Sequence, residues 1–140
     1  MPSPLYTCLW FNQNARQAAD YYCTIFTNSR IISDNGMVVM FELQGTLFMG
    51  LNGGPQYRHS PAVSFVIECA NQQEIDYYWA QLGAGGRYDR CGWLADKFGI
   101  SWQVVPAVLK ELMANPHKRE AVTQAFLQMG KFDIATLEAV

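Results

Sequence analysis

Charged side chains are scarce in this 140-residue sequence: they make up 16% of it, against 50% for the apolar residues. The ten lysines and arginines form no cluster, and the formal net charge is -2. A surface that binds nucleic acid needs a concentrated positive patch, so the sequence excludes that class of function. The apolar fraction instead predicts one globular domain, residues 1–140, with a sizeable core.

Long apolar runs are also missing. No stretch is long enough to cross a bilayer, and the N-terminus lacks the layout of a signal peptide. We therefore expect a cytoplasmic protein with no membrane partner.

The four cysteines are not paired as C-x-x-C, and they stand at Cys8, Cys23, Cys69 and Cys91. Three of them lie in apolar segments, where cysteine usually behaves as a small buried hydrophobic residue. A disulfide framework is not expected in this context, and a zinc site lacks its usual ligand spacing.

The first half of the chain predicts one strand, one helix and three strands. An aromatic strand over 5–11 leads to Asn12-Gln13-Asn14, which has helix-capping chemistry, and helical spacing follows over 15–26. Three short strands over 30–33, 37–43 and 46–51 come next, the first two joined by the hairpin signal Asp34-Asn35-Gly36. The polar connector from Asn52 to His59 is the best boundary, and the best candidate for a mobile loop at the mouth of a pocket.

The second half repeats this order. A strand over 62–69 leads to Asn71, which opens a capping box with Glu74, and a helix over 75–82 follows. A hairpin turns at Asp96-Lys97-Phe98-Gly99 and runs on to Pro106. Asp-Tyr-Tyr occurs at Asp20 and again at Asp76, at an offset of about 55 residues that also relates Gly45 to Gly99. The pattern predicts an α+β fold of two tandem βαβββ modules, residues 1–54 and 60–106, with a C-terminal helical extension over 107–140.

The extension predicts three short helices over 107–114, 117–129 and 133–137. Asn115-Pro116 starts the second, and Gly130 ends it. We expect them either to cover the sheet or to pack on a second subunit.

The sequence resembles the glyoxalase, or vicinal oxygen chelate, superfamily. Within it, the similarity is closest to the PhnB-like branch, which is often described as 3-demethylubiquinone methyltransferase. The shared residues run in order along the chain: Cys8-Leu-Trp-Phe11, Asn14-Ala15, Tyr21-Tyr22, Leu51-Asn-Gly-Gly54, Val63-Ser-Phe65, Glu74-Ile-Asp76 with Trp79, Cys91-Gly-Trp93, Asp96-Lys-Phe-Gly99, Ser101-Trp-Gln103, Pro106, Met129-Gly-Lys131 and Asp133-Ile134.

This resemblance implies paired modules whose sheets each curl around a cavity. Metal-dependent members place a His or Glu on the first and last strand of each module, and their metal chelates neighbouring oxygens of a substrate. The corresponding positions here are Thr7, Met49, Ala62 (or Ser64 with a shift of two) and Gln103. None is His, Asp or Glu, and a hard divalent ion needs carboxylate, imidazole or several oxygens. We therefore expect no metal and no cofactor.

The methyltransferase activity implied by the branch has no support among the residues. Binding of S-adenosylmethionine usually needs a nucleotide-binding α/β fold with a Gly-rich turn after its first strand. Here that strand leads into Asn12-Gln13-Asn14, and Gly83-Ala84-Gly85-Gly86 follows a helix.

We expect a pocket that holds a small, partly aromatic or apolar molecule. Side chains alternate between the two faces of a strand, so the candidate lining residues are those that share the inward face with the ligand-equivalent positions. They are Thr7, Leu9, Met49, Leu51, Ala62, Ser64, Gln103 and Val105. A shift in parity at a bulge would expose Cys8, Trp10 and Trp102 instead.

Several of these residues have two interpretations. Gln103 either bonds a ligand carbonyl or bonds its own barrel. The four tryptophans, Trp10, Trp79, Trp93 and Trp102, either stack on a planar ligand or belong to the core. His59 is an acid or base at the pocket mouth or a surface residue, and Cys91 is a reactive or an inert thiol. His117 is expected in solvent, and Ser64 has no evident partners for nucleophilic catalysis.

The sequence therefore predicts a PhnB-like small-molecule-binding protein, by default a homodimer. The rival is an enzyme of the glyoxalase, dioxygenase or methyltransferase type, with a different metal-ligand set such as His59, Glu42 and Glu68. A third possibility is an interaction module built on the C-terminal helices.

Overall fold

The computed structural model describes residues 4–140, and these fall into two compact units that divide between His59 and Ser60. The division lies at the end of the polar connector. Each unit has its own four-stranded mixed sheet and its own helical cover.

The first unit contains one helix and four strands. In chain order they are β1 (Thr7–Phe11), α1 (Ala15–Ile25), β2 (Ser29–Asp34), β3 (Val38–Leu43) and β4 (Thr46–Asn52). The sheet order is β1-β4-β3-β2, with β1 parallel to β4 and the other neighbours antiparallel. A parallel pair needs a long crossover, which α1, β2 and β3 together provide.

Helix α1 packs against the sheet through small and aromatic residues. Ala15, Ala18, Ala19, Tyr22 and Ile25 are buried, at helical spacing. The Tyr22 ring stacks on Phe41 of β3, with the ring centroids 6.2 Å apart. The alanines permit close approach of the helix to the sheet, and the buried Tyr22 and Phe41 rings remove a large apolar area from water.

The start of α1 differs from the sequence prediction. Asn14 occupies the N-cap position, but its side chain makes no capping hydrogen bond. Instead, the Asn52 Oδ1 atom, at the end of β4, accepts a hydrogen bond from the Ala15 N–H at 2.9 Å. A residue distant in sequence therefore satisfies the helix terminus, which local capping rules do not reveal.

The second unit repeats this topology and adds three helices. Its elements are β5 (Ser64–Cys69), α2 (Gln72–Gly83), β6 (Arg87–Tyr88), β7 (Trp93–Ala95), β8 (Ser101–Pro106), α3 (Val108–Ala114), α4 (Arg119–Leu127) and α5 (Ile134–Glu138). The sheet order is β5-β8-β7-β6, again with the first and last strands parallel. The strand β6 has only two residues, too few to leave a pattern in the sequence.

The capping box predicted at Asn71 is present, and a second side-chain cap stands at the start of α5. The Asn71 Oδ1 atom accepts from the Glu74 N–H at 3.0 Å, while Glu74 Oε1 accepts from the Ala70 N–H at 2.8 Å. Asp133 caps α5 by accepting from the Thr136 N–H at 3.2 Å. The helix predicted over 117–129 is shorter, since α4 begins at Arg119.

Two of the C-terminal helices, α4 and α5, contribute buried side chains to the core of the second unit, whereas α3 has none. Val122, Phe132 and Leu137 are almost completely buried. The Gln72 side chain of α2 makes two hydrogen bonds to the backbone at the start of α5. It donates to the Phe132 carbonyl at 2.8 Å and accepts from the Ile134 N–H at 2.9 Å. This integration argues against the interpretation of residues 107–140 as a detachable interaction module.

Candidate functional site

Each sheet has one face covered by its own helix and one open face. In the first unit, Leu9 and Phe11 of β1 are buried with Phe41 and Phe48, and a Cβ atom on Gly50 would lie 3.2 Å from the Ala15 side chain of α1. Side chains alternate along a strand, so the residues between these point away from α1. We call that side the first open face; it presents Cys8, Trp10, Val38, Met40, Glu42, Leu47, Met49 and Leu51.

The pairing register fixes which of these residues are neighbours. Cys8 pairs with Met49, and Met49 pairs with Met40 on its other side. Trp10 pairs in the same way with Leu51. Apart from Glu42, the first open face is therefore apolar, and it is rich in sulphur.

The connector is tied down over Trp10. The indole Nε1–H donates to the Gly54 carbonyl at 2.8 Å, and the Tyr57 ring meets the indole edge-on, with the centroids 4.8 Å apart. His59 Nε2 lies 2.7 Å from the Trp10 carbonyl oxygen, so this nitrogen carries the proton and donates. A Cβ atom on Gly53 would overlap the indole, which explains the glycine there. Trp10 and His59 are thus engaged in holding the connector.

The second open face lies opposite α2. Leu94, Trp102 and Val104 are buried on the side of α2, so Gln103 and Val105 of β8 point the other way. The register adds Ser64, Val66 and Glu68 of β5, and Trp93 of β7, to the same face. Its members are Ser64, Val66, Glu68, Trp93, Gln103 and Val105.

A hydrogen bond joins two polar residues of the second open face. Gln103 Nε2 donates to Ser64 Oγ at 3.0 Å, and Trp93 lies opposite Gln103 across the β7–β8 pair. At the far end of the face, Glu68 forms an ion pair with Lys110 of α3 at 2.8 Å. That bond raises the pKa of the lysine. The arrangement offers an amide, a hydroxyl and an indole ring on one surface.

The hairpin between β7 and β8 is fixed by a buried carboxylate. Asp96 Oδ1 accepts from the backbone N–H groups of Phe98 and Ile100, at 2.8 and 3.1 Å, and Oδ2 accepts from Trp102 Nε1 at 2.9 Å. Gly99 completes the turn with a φ of 88°. This network sets the register of β8 and so aims Gln103 at the open face.

The eight predicted lining residues do not all share an open face. Met49 and Leu51 lie on the first, and Ser64, Gln103 and Val105 lie on the second. Thr7 and Leu9 are in register with Phe48 and Gly50, on the side covered by α1. The parity predicted for β1 is therefore shifted by one residue, and Cys8 and Trp10 occupy the open face there. Ala62 is exposed in the turn before β5, and Trp102 is buried on the side of α2.

The cysteine prediction holds only in part. All four thiols are free, but only Cys69 is buried, while Cys8 is exposed. Burial raises the pKa of the Cys69 thiol to about 12. Although Cys8 is exposed as a residue, partial desolvation of its thiol raises the pKa of that group. Sequence reasoning named Cys8 only as the alternative for a shifted parity, and it did not name Met40. Alternation groups Cys8 apart from Leu9, and Met40 apart from Phe41, but it does not say which side of the sheet is covered.

The donor set does not fit the metal of the metal-dependent relatives. Of the ligand-equivalent positions, Met49 lies on the open face of the first sheet, with Cys8 beside it instead of Thr7, and Ser64 and Gln103 lie on the open face of the second. A hard divalent ion binds carboxylate, imidazole or several oxygens, and these positions supply neither a carboxylate nor an imidazole.

The alternative ligand set is also not assembled. Glu42 pairs with Arg30 at 3.8 Å, Glu68 with Lys110, and His59 with the Trp10 carbonyl. Within residues 4–140, no three His, Cys, Asp or Glu side chains are grouped closely enough to hold a metal ion.

Two tandem βαβββ modules in one chain define the glyoxalase, or vicinal oxygen chelate, fold. A family model described as 3-demethylubiquinone-9 3-methyltransferase matches residues 3–105. The chain belongs to this family, in the PhnB-like branch of the superfamily. The matched region ends at β8, so α3, α4 and α5 lie beyond it.

Solved structures agree with this assignment. A PhnB protein from Bacillus cereus, provisionally described as a 3-demethylubiquinone-9 3-methyltransferase, is 28% identical, with a TM-score of 0.69; the match covers 75% of this chain and 100% of that one. Protein PA1353 from Pseudomonas aeruginosa is 16% identical, with a TM-score of 0.60 and coverage of 73% and 96%.

The fosfomycin resistance protein FosX from Listeria monocytogenes, solved with Mn(II) and sulfate, is 16% identical, with a TM-score of 0.58 and coverage of 81% and 97%. At these identities, PA1353 and FosX support the fold alone. No curated protein matches the chain.

Proposed function

We propose that this protein binds a small organic molecule on the open face of its second sheet, without a chelating divalent metal. The observation that carries the proposal is the Gln103–Ser64 hydrogen bond, which occupies positions where metal-dependent relatives place metal ligands. An amide and a hydroxyl recognise carbonyl and hydroxyl groups of a ligand directly.

The chemistry of the pair supports this role. The bond to Ser64 uses one of the two amide N–H groups of Gln103, and the Ser64 hydroxyl retains its own proton for another bond. Trp93 beside them offers a flat apolar surface, suited to a ring. The ligand class is therefore a small, partly aromatic molecule that carries a carbonyl or a hydroxyl group.

The description of the family supplies the alternative, an enzyme that methylates a demethylubiquinone. The topology does not favour it, since neither sheet is a doubly wound parallel sheet with a Gly-rich turn after its first strand. A glyoxalase- or dioxygenase-type enzyme would need side chains that bind a hard metal ion. The residues at the ligand-equivalent positions argue against it, because none is a carboxylate or an imidazole.

The first experiment is metal analysis of untagged, undialysed protein by inductively coupled plasma mass spectrometry. We expect no stoichiometric zinc, nickel, manganese or iron. Near-stoichiometric amounts of any of them would overturn the proposal of binding without a chelating divalent metal and would favour the enzyme alternative.

Ligand binding is tested with a short-chain demethylubiquinone analogue, by isothermal titration calorimetry with and without S-adenosylmethionine. Gln103→Leu should weaken binding about tenfold or more, because a hydrogen bond to the ligand is lost. Gln73→Leu, at an exposed position on α2, is the matched control. Equal affinity in both variants contradicts the assignment of the second open face, and methyl transfer in the mixture supports the enzyme.

The homodimer and the cytoplasmic location are parts of the same proposal. Val63 and Val66, at the edge of the second sheet, are 68% and 56% exposed, an apolar exposure that a second subunit would cover. Light scattering after gel filtration measures the mass, and a monomer at micromolar concentration contradicts the dimer. In the described part of the chain, no helix combines the length and apolarity needed to span a membrane.

A further inference from the structure

Three sulphur-containing side chains stand in one row on the first open face. Cys8 on β1 pairs with Met49 on β4, and Met49 pairs with Met40 on β3. Met40 and Met49 are opposite each other in an antiparallel pair, where Cβ atoms lie about 4.5–5.5 Å apart. Cys8 is in register with Met49 on the neighbouring parallel strand and points to the same side of the sheet. The thiol and the two thioethers therefore project side by side from three adjacent strands.

The row is accessible from outside. Cys8 is exposed, and Met40 and Met49 are half-buried. Methionine has three rotatable bonds, so its sulphur can move toward a neighbour without displacing the backbone. Two thioethers beside a thiol can converge on a common atom above Met49.

The chemistry of these donors selects one class of ligand. Thiolate and thioether sulphurs are soft, and they prefer Cu(I) over the hard ions Mg²⁺, Ca²⁺ and Mn²⁺. Glu42 also lies on this face but is paired with Arg30 at 3.8 Å. Leu47 and Leu51, which flank Met49 on β4, are apolar, so among the residues named for this face only Glu42 carries a hard donor.

We propose that Cys8, Met49 and Met40 form a binding site for a soft monovalent cation, Cu(I). On binding, the cysteine S–H bond breaks, a sulphur–copper bond forms, and the proton passes to solvent. No electron is transferred, because the metal arrives as Cu(I). The site uses residues of the first sheet alone, and it shares no residue with the organic-ligand site proposed on the second sheet.

The test uses the full-length, reduced protein in oxygen-free buffer, with Cu(I) supplied as its complex with a coloured chelator. We expect the protein to withdraw one equivalent of Cu(I) from the chelator. The decrease in absorbance of the coloured complex measures this transfer. Cys8→Ser and Met49→Leu should each weaken binding at least about tenfold, since even an outer-shell partner of a metal ligand is worth that much. Met40→Leu should have a smaller effect in the same direction.

Two control variants separate this site from unspecific thiol binding. Cys23→Ser removes another partly accessible thiol, and Met37→Leu removes a methionine that is 63% exposed in the β2–β3 hairpin. Both should bind Cu(I) as the unaltered protein does. Circular dichroism verifies that the variants fold, and the exchange of methionine for leucine keeps the volume nearly constant.

The proposal fails if the unaltered protein withdraws no Cu(I), or if Cys8→Ser and Met49→Leu keep full affinity. It also fails if Cys23→Ser weakens binding equally, or if X-ray absorption at the copper edge shows nitrogen and oxygen ligands instead of sulphur. Gln103→Leu should leave Cu(I) binding unchanged, so failure here and failure of the organic-ligand proposal are distinguishable.

Discussion

Gln103 and Ser64 are joined across two adjacent parallel strands by a hydrogen bond of 3.0 Å from Nε2 to Oγ. Both residues are partly buried and face away from α2. A double-mutant cycle with Gln103→Leu and Ser64→Ala should give a coupling of about 0.5–1.5 kcal/mol in the free energy of unfolding. Urea denaturation of the four proteins measures it. Strictly additive single effects would show that the bond is absent in solution.

Asp96 is expected to be the polar residue on which the second sheet depends most. It is 3% exposed and accepts three hydrogen bonds, one of them from the buried Trp102 indole. Asp96→Ala should lower the free energy of unfolding by about 3 kcal/mol or more, because the indole N–H is left without its acceptor. Asp96→Asn should be nearly as harmful when its NH₂ group faces the indole, since two donors then meet. Thermal unfolding of both variants tests this, and a loss below about 1 kcal/mol would contradict it.

Gly92 and Gly36 provide a matched pair for separating steric overlap from backbone strain. Both have positive φ, of 78° and 89°. A Cβ atom on Gly92 would lie 2.5 Å from the Val104 carbonyl oxygen and 2.7 Å from the Phe132 ring, whereas nothing lies within 4 Å of one on Gly36. We expect Gly36→Ala to cost about 1–2 kcal/mol and Gly92→Ala at least about 3 kcal/mol. Equal losses in urea denaturation would mean that the contact with Phe132 is not made.

Asp76 should make the docking of the C-terminal segment dependent on pH. The hydrogen bond from Lys131 Nζ, at 2.8 Å, lowers the pKa of the Asp76 carboxyl, and Gln72 contributes in the same direction. A carboxyl with a lowered pKa stabilises the folded state above its ordinary pKa of 3.8, and this contribution is lost as the pH falls through the folded-state value.

The measurement compares the unfolding of the unaltered protein with that of Asp76→Asn from about pH 7 down to pH 2. The variant should be the less stable at neutral pH, and the difference should vanish in acid. Glu120→Gln, at an exposed position on α4, is the control and should show no such convergence. If the difference in the free energy of unfolding persists below the folded-state pKa of Asp76, the variant is destabilised by a change in packing or hydrogen bonding and not by the loss of the negative charge.

Phe132 links the C-terminal segment to the second sheet. It is 2% exposed, and its ring lies 5.8 Å from that of Phe126, measured between centroids. Phe132→Ala should destabilise the protein by about 3–5 kcal/mol, because a large cavity is left under Gly92. Leu127→Ala, at a position that is 43% exposed, should cost less than about 1 kcal/mol. Similar small losses for both would revive the interpretation of the C-terminal helices as a detachable module.

The sequence by itself determined the class of fold and most of the element order. The hairpin signal Asp34-Asn35-Gly36 and the capping box at Asn71 each act within a few residues, so local rules reveal them. The Asp-Tyr-Tyr motif, repeated at an offset of about 55 residues, indicates the tandem order of the two modules. The family resemblance along the chain is confirmed by the family model and by the PhnB structure. The absence of hard-metal ligands at the equivalent positions was likewise readable from residue types alone.

Tertiary structure alone decided which residues share a face. A shift of one residue on β1 moves Thr7 and Leu9 to the side of α1 and brings Cys8 beside Met49, and alternation within β1 does not say which side is covered. The cap on Ala15 comes from Asn52, and His59 is held by the Trp10 carbonyl, both through contacts that are remote in sequence. Pairing between strands depends on the packing of whole elements, and for that reason the rows of sulphur and amide side chains appear only in the folded sheets.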